Sequence, residues 1–462
     1  MLVDRSTWLG LLLAAGPLAV LAHGAFDAGS LVTGLLLATP IAALLVLGDW
    51  RTFSPTSCDA LFGIFVACIA ISLAWNGIGA EPNEFCLLVL TLAAYPAARL
   101  NGGHFFPMRG LLILAGAIVA AGTLATIPAL LTQWSDHGKP MVFSQFDAAP
   151  AQFTTLLGFG LLVLANGNSS PRNALLASLL LTIPIAIFAA SMVRYTILAL
   201  LVTLAIGIIL SPTSRRRLSA TILAIVITAT VAGTLARHEM TATFATQLVE
   251  AVEIEKPKSS KVGAAGTGRA DGPSRASAAP AVQLDCSQIH MNNSVAIRRQ
   301  LYRDAFRLLP DAGLFGFGLD RFIGLGCVLD TEVHNTFLQA AIEFGWIAGV
   351  ALVLLTLSVS GAGMRKLARM SPEIRIALCG LTFTILLTLA HGRVSRDITL
   401  FLFLGYAAAL KKQSIEIAAA WLIRGTLPWN SPESLPEDAT TTVAAPSTPT
   451  ACASVQPTSV QI

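Results

Sequence analysis

The sequence predicts an all-α polytopic membrane protein of about 12 transmembrane helices, with one large outward loop that contains an amphipathic helix. Three observations predict it. Of 462 residues, 54% are hydrophobic and only 12% charged, against roughly 25% charged in an ordinary soluble domain. Mean hydropathy is +0.70. Apolar runs long enough to cross a bilayer follow one another along most of the chain, interrupted once by a long polar stretch.

A span needs about 20 apolar residues to cross roughly 30 Å of hydrocarbon, and lipid forces each to be helical because nothing there can satisfy an unpaired backbone group. Candidates run roughly 7–23, 29–48, 58–76, 84–100, 110–131, 150–166, 173–192, 195–211, 217–236, 335–359, 374–391 and 396–410. The first has the form of a signal peptide, with Arg5 as its charged start and Leu9 to Ala22 as its apolar centre; another apolar run follows at once, so it reads as a retained span. Spans seven and eight are joined only by SMVR, so their ends must nearly touch.

Lysine and arginine set the orientation. With a cytoplasmic N-terminus, fifteen fall on inside segments, among them Arg215, Arg216 and Arg217, and four in short outside loops: Lys139, Arg194, Arg393 and Arg396. The remaining eleven lie in the long loop, which does not vote. The expected organisation is helices 1–9 in residues 1–236, an outward loop 237–333, helices 10–12 in 334–411, and a cytoplasmic tail 412–462. The loop's first part is Gly/Ala/Ser/Pro-rich and is expected to be disordered, as is the tail after about 425. In its second part Ile297, Leu301, Ala305 and Leu308 or Leu309 recur at helical spacing, predicting an amphipathic helix over about 294–309 on or near the membrane surface. Asn293 or Ser294 can cap it, and Pro310-Asp311 is expected to end it. Cys286 and Cys327 are the loop's two cysteines: an oxidising compartment lets them pair, and unrelated thiols are the alternative.

Function is sought where polarity is costly. Arg194 interrupts IAIFAASMVRYTILALL on the side where arginine is disfavoured; it is either functional or a snorkelling surface residue. Arg393 and Arg396 raise the same question, and Asp397 is close enough in sequence to pair with one of them. His334 opens the tenth span, as a helix cap or interfacial residue on the plain reading and as a general base on the sharp one. Glu343 should face the bundle interior, paired with a basic group. Arginine's planar fork suits phosphate oxygens, so outward arginines beside a histidine suggest a membrane-bound phosphate or diphosphate. The chain has no GxxxxGK[ST], no GxGxxG opening a helix, no DxD, no zinc-like Cys/His spacing and no basic–aromatic nucleic-acid signature. A sugar donor would therefore be lipid-linked, with no metal or cofactor required and no nucleic-acid partner.

IRRQLYRDAFRLLPDAGLFGFGLDRF followed by VHNTFLQAAIEFGWIAGVALVLL resembles the O-antigen ligase and polymerase superfamily of bacterial inner membranes. The resemblance rests on Arg298 with Tyr302, Gly316-Phe317-Gly318, His334-Asn335-Thr336-Phe337-Leu338 and Gly345, and on SMVRYTILAL around Arg194. Two positions depart from it: Val193-Arg194-Tyr195 stands where many members have Ser-Arg-Gly, and Ala151 where an Asn is usual. The resemblance implies inverting glycosyl transfer in the periplasm, from a polysaccharide on undecaprenyl diphosphate to a sugar of lipid A-core, in lipopolysaccharide biosynthesis. His334 would be the base, with Arg194 and Arg298 holding the diphosphate. Asn335 would orient His334 or touch sugar, and Arg299 is one residue of register from replacing Arg298. Arg393 and Arg396 are further candidates for substrate contact. An O-antigen polymerase or a protein O-oligosaccharyltransferase shares these motifs. A transporter is a weaker reading, since no inverted repeat is evident and Glu343 is the one clear ionisable group deep in a span.

Overall fold

In the computed structural model the chain is helical, as an all-α polytopic membrane protein should be; residues 4–51, 53–77, 81–106, 108–135, 138–243, 246, 294–328 and 331–424 are described. Up to residue 236 the described helices are α1 (Arg5–Phe26), α2 (Ser30–Leu47), α3 (Ser57–Asn76), α4 (Pro82–Asn101), α5 (Arg109–Thr132), α6 (Ala149–Asn166), α7 (Pro171–Leu180), α8 (Thr182–Ala190), α9 (Arg194–Leu210) and α10 (Thr213–Ala236). From residue 294 on they are α11 (Ser294–Ala312), α12 (Thr336–Glu343), α13 (Trp346–Val359), α14 (Ala362–Ala368), α15 (Pro372–His391) and α16 (Ile398–Arg424). The chain divides into units Met1–Ile415 and Glu416–Ile462. The low-complexity stretches expected over 247–293 and after 425, with Asn293 and Cys286, lie outside the described residues. Cys327 is disulfide-bonded.

Nine helices among the described residues are long and apolar enough to cross a membrane, and Leu31–Leu47 and Arg194–Leu210 are shorter apolar helices. The bundle's interior is aromatic: Phe159 packs edge-on against Phe383 (5.3 Å between centroids) and stacks on Phe403 (5.2 Å). At one end, the Arg99 guanidinium on α4 bonds both carboxylate oxygens of Asp59 on α3, and Arg375 donates to the carbonyls of Asn166 and Ala368. The other end gathers Arg194, α11, His334 and the α15–α16 connection.

Two sequence expectations are corrected. The tenth span is not one helix over 335–359. It breaks at Phe344-Gly345 into the short α12 and the spanning α13. Gly345 has φ 91°, a left-handed conformation that glycine adopts freely, and a Cβ there would collide with the Leu314 carbonyl. The break is stitched to the preceding turn by backbone bonds: Phe317 N to Ile342 O (3.0 Å), Gly318 N to Glu343 O (2.9 Å) and Trp346 N to Gly313 O (3.0 Å). Periodicity could not show this, because the residues on both sides of the break are apolar.

The amphipathic helix, in turn, does not end at Pro310. It runs on to Ala312, and Gly313 at φ 58° terminates it. The Trp346 indole donates to the Leu309 carbonyl (2.7 Å) and holds this last turn. Its apolar stripe faces protein: Leu301, Ala305 and Leu308 are buried against Phe322, Val328, Val333, Leu338 and Ile342. Each such leucine contributes about 1.5–3 kcal/mol on burial. A small second core therefore fixes α11 against α12.

Candidate functional site

That second core aims two side chains of α11 at the start of α12. Tyr302 donates its hydroxyl to the Leu389 carbonyl of α15 (2.5 Å) and accepts from Asn335 Nδ2 (3.2 Å). Asn335 is the cap of α12, its Oδ1 accepting from the backbone N–H groups of Phe337 and Leu338, both at 3.1 Å. The helix cap is thus Asn335 and not His334. Thr336, the next residue, donates its hydroxyl to Asp397. His334 precedes this anchored pair with φ 56°, a left-handed backbone that costs a non-glycine residue on the order of 1–3 kcal/mol unless its surroundings impose it. The capping side chain and the Thr336 bond impose it here.

The imidazole of His334 faces a second histidine. Its ring centroid lies 6.5 Å from that of His391, the last residue of α15, and His391 meets the ring of Tyr195 edge-on at 5.7 Å. Tyr195 is fixed by donating to the Leu386 carbonyl (2.5 Å). Arg298, one turn before Tyr302, lies close enough for its charge to act on His334, His391 and Tyr195. Burial first, and the Arg298 charge second, hold His334 below its ordinary pKa of 6.5. At neutral pH the ring is unprotonated and able to accept a proton. Of the two adjacent arginines, it is Arg298, and not the half-buried Arg299, whose charge reaches this group.

Arg194 immediately precedes Tyr195, but its side chain goes elsewhere: Nη2 donates to the carbonyl of Met240 at 3.1 Å, next to Arg237. Arg393 and Arg396 sit in a different setting. Arg393 is buried and forms ion pairs with Glu84 (3.2 Å), Asp320 and Glu332. Arg396, with 56% of its side chain exposed, pairs with Glu84, and Ser395 Oγ donates to the same carboxylate (2.9 Å). The connection that carries them is locked further by Val394 N donating to Gln339 Oε1 (2.9 Å). Asp397, expected as a partner for these arginines, instead receives Thr336. Glu343 is fully buried, as expected, and among the described residues no basic side chain pairs with it.

Residues 176–353 match the family model described as O-antigen ligase. Over this segment the chain is similar to the O-antigen ligase superfamily. No curated protein and no solved structure matches it. The superfamily segment contains Arg194, Arg298, Tyr302, His334, Asn335 and Gly345, and stops short of His391 and Arg393. In this segment the Gly-x-Gly turn and Gly345 are structural: they let the loop and the α12–α13 break close on each other. His391, Tyr195 and Arg237 escape a reading of the sequence. His391 ends an apolar run just before two more conspicuous arginines. Arg237 is counted into the long loop, where charge carries no orientation signal. Two histidines at the same end of two spans is the pattern by which His391 was findable.

Proposed function

We propose that the chain is an O-antigen ligase: it moves a polysaccharide from undecaprenyl diphosphate to a hydroxyl of lipid A-core at the periplasmic face of the bacterial inner membrane. The observation that carries this reading is the convergence of a neutral, conformationally constrained His334 with the Arg298 charge, where α9, α11, α12 and α15 meet.

In the step this supports, the acceptor hydroxyl gives its proton to the His334 imidazole as its oxygen bonds to the anomeric carbon. The bond from that carbon to the diphosphate breaks on the opposite face, inverting the centre. The electron pair leaves with undecaprenyl diphosphate, whose growing charge Arg298 and Arg194 stabilise. A positioned base supplies about 10²–10⁴-fold, and one donor aimed at developing charge about 10²–10³-fold. Asn335 serves as a positioning residue, fixing the backbone from which His334 projects. Arg298 at 298 and not 299 is the diphosphate contact in this reading. Arg393 and Arg396 hold the scaffold together.

The test is His334→Ala in the native host. The variant should insert at the normal level and abolish polymer-bearing lipopolysaccharide; unchanged banding refutes the base. The material that accumulates tests the rest of the reading. Polymer left on undecaprenyl diphosphate marks a ligase, whereas a single repeat on the core marks a polymerase and overturns the acceptor proposed here.

A further inference from the structure

With the α11 stripe packed on protein, this segment leaves apolar surface open in the turn that follows it. Residues 312–319, AGLFGFGL, carry no ionisable group, and exposed Asp311 and Arg321 flank them. Leu314 is 54% and Phe315 40% exposed. A turn facing water is usually built from Gly, Asn, Asp and Ser, whereas a large apolar pair at the tip calls for an apolar neighbour.

Two spanning helices meet this turn. Trp75, 76% exposed at the end of α3, stacks on Phe315 with ring centroids 5.7 Å apart. Trp346, 45% exposed, opens α13, and its backbone N–H reaches the Gly313 carbonyl (3.0 Å). α3 and α13 pack side by side. Exposed apolar residues recur at helical spacing on each: Ile64, Ile71 and Trp75 on α3, Trp346, Val350 and Leu357 on α13. On helices that cross a bilayer these stripes face lipid, and tryptophan at both span ends marks the headgroup level. The turn continues the two stripes at that level. Its backbone suits the same setting, because irregular backbone is tolerated at membrane depth only where protein satisfies its polar groups. Gly316 N donates to the Ala312 carbonyl (2.9 Å), Phe317 N and Gly318 N donate to α12, and the Gly316 carbonyl accepts from Asn76 Nδ2 (3.2 Å).

We propose that the turn over residues 313–316 dips into the leaflet at this end of the bundle, with Leu314 and Phe315 among the upper acyl chains of phospholipid. The membrane contact of this segment is then made by the turn and not by the α11 stripe. The turn sets the depth of the last turn of α11 and of the α12–α13 break, to which its backbone bonds join it. None of this depends on the substrate of the chain.

The experiment places p-benzoylphenylalanine at Phe315 in the full chain, irradiates it in vesicles of phosphatidylcholine and phosphatidylglycerol, and weighs the products. Benzophenone inserts into the C–H bonds it touches, so a side chain among acyl chains gains the mass of a phospholipid. Val350, on the stripe of α13, is the positive control, and Arg321, outside the apolar stretch, the negative one. The phospholipid adduct should form at Phe315, Leu314 and Val350 and be lost at Arg321. If the chain does not fold with the larger ring at Phe315, the replacement at Leu314 decides. An adduct at Val350 without one at Leu314 or Phe315 overturns the proposal. A crosslink from the turn to a second polypeptide also overturns it, by making the turn a protein-docking surface.

Discussion

Arg298 and Arg393 lie at the same end of the bundle, and both look alike as outward arginines in the sequence, yet their surroundings differ. Arg393 is enclosed by Glu84, Asp320 and Glu332, contributed by α4 and by two points of the loop ahead of α12. Its charge is compensated, and what it does is fasten three segments together. Arg298 has no carboxylate partner among the described residues and stands beside two imidazoles and a phenol. An arginine whose charge is already balanced is architecture; one whose charge is directed at a potential base is available for chemistry.

The largest effect that tests this contrast is on stability. Arg393→Ala leaves buried carboxylates uncompensated and should cost about 3–5 kcal/mol of folding stability. Thermal unfolding in detergent should show the loss directly, and a variant as stable as wild type breaks the contrast. Arg298→Gln should do the opposite, leaving the unfolding midpoint near wild type while transfer per enzyme falls about 10²–10³-fold. Because the Arg298 charge helps depress the His334 pKa, its removal should also move the acidic limb of the pH–rate profile to higher pH, a shift a structural role would not produce. Asn335→Ala should cost about 1 kcal/mol through the lost cap of α12. It should lower turnover by releasing His334 from its left-handed backbone, and Asn335→Asp, which keeps the cap, should restore part of both.

The smallest effect is a pH dependence within the Arg393 cluster. Burial raises Glu332 from 4.5 to about 7, against the pull of Arg393. The folded chain therefore holds this proton more tightly than the unfolded chain does, so the contribution of Glu332 to stability is largest below about 4.5 and is lost as pH rises through about 7. The difference in unfolding midpoint between wild type and Glu332→Gln, followed across that window, should move in favour of the variant as pH rises. A flat difference would place Glu332 outside the cluster's electrostatics.

The helices were legible because lipid leaves a spanning segment no other way to satisfy its backbone, so apolar run length is enough. The α11 stripe was legible by its spacing, and the motif around His334 and Arg298 singled them out as candidates. The α12–α13 break was hidden inside a continuous apolar run, since Gly345 acts through a backbone angle and a contact with the Leu314 carbonyl. The direction of the α11 stripe was also hidden: amphipathicity reports that a face is apolar, not whether lipid or protein covers it.

By itself the sequence determined the membrane-spanning helical class and the amphipathic helix, and it singled out the histidine and arginines proposed as a site, since composition, run length and spacing are local properties. Only the tertiary structure decided which arginine is ion-paired and which stands beside the imidazoles. It alone brought His391 and Tyr195 to His334 and set Arg237 beside Arg194. Charge compensation and ring contact depend on groups far apart in the chain, and no local pattern encodes their distance.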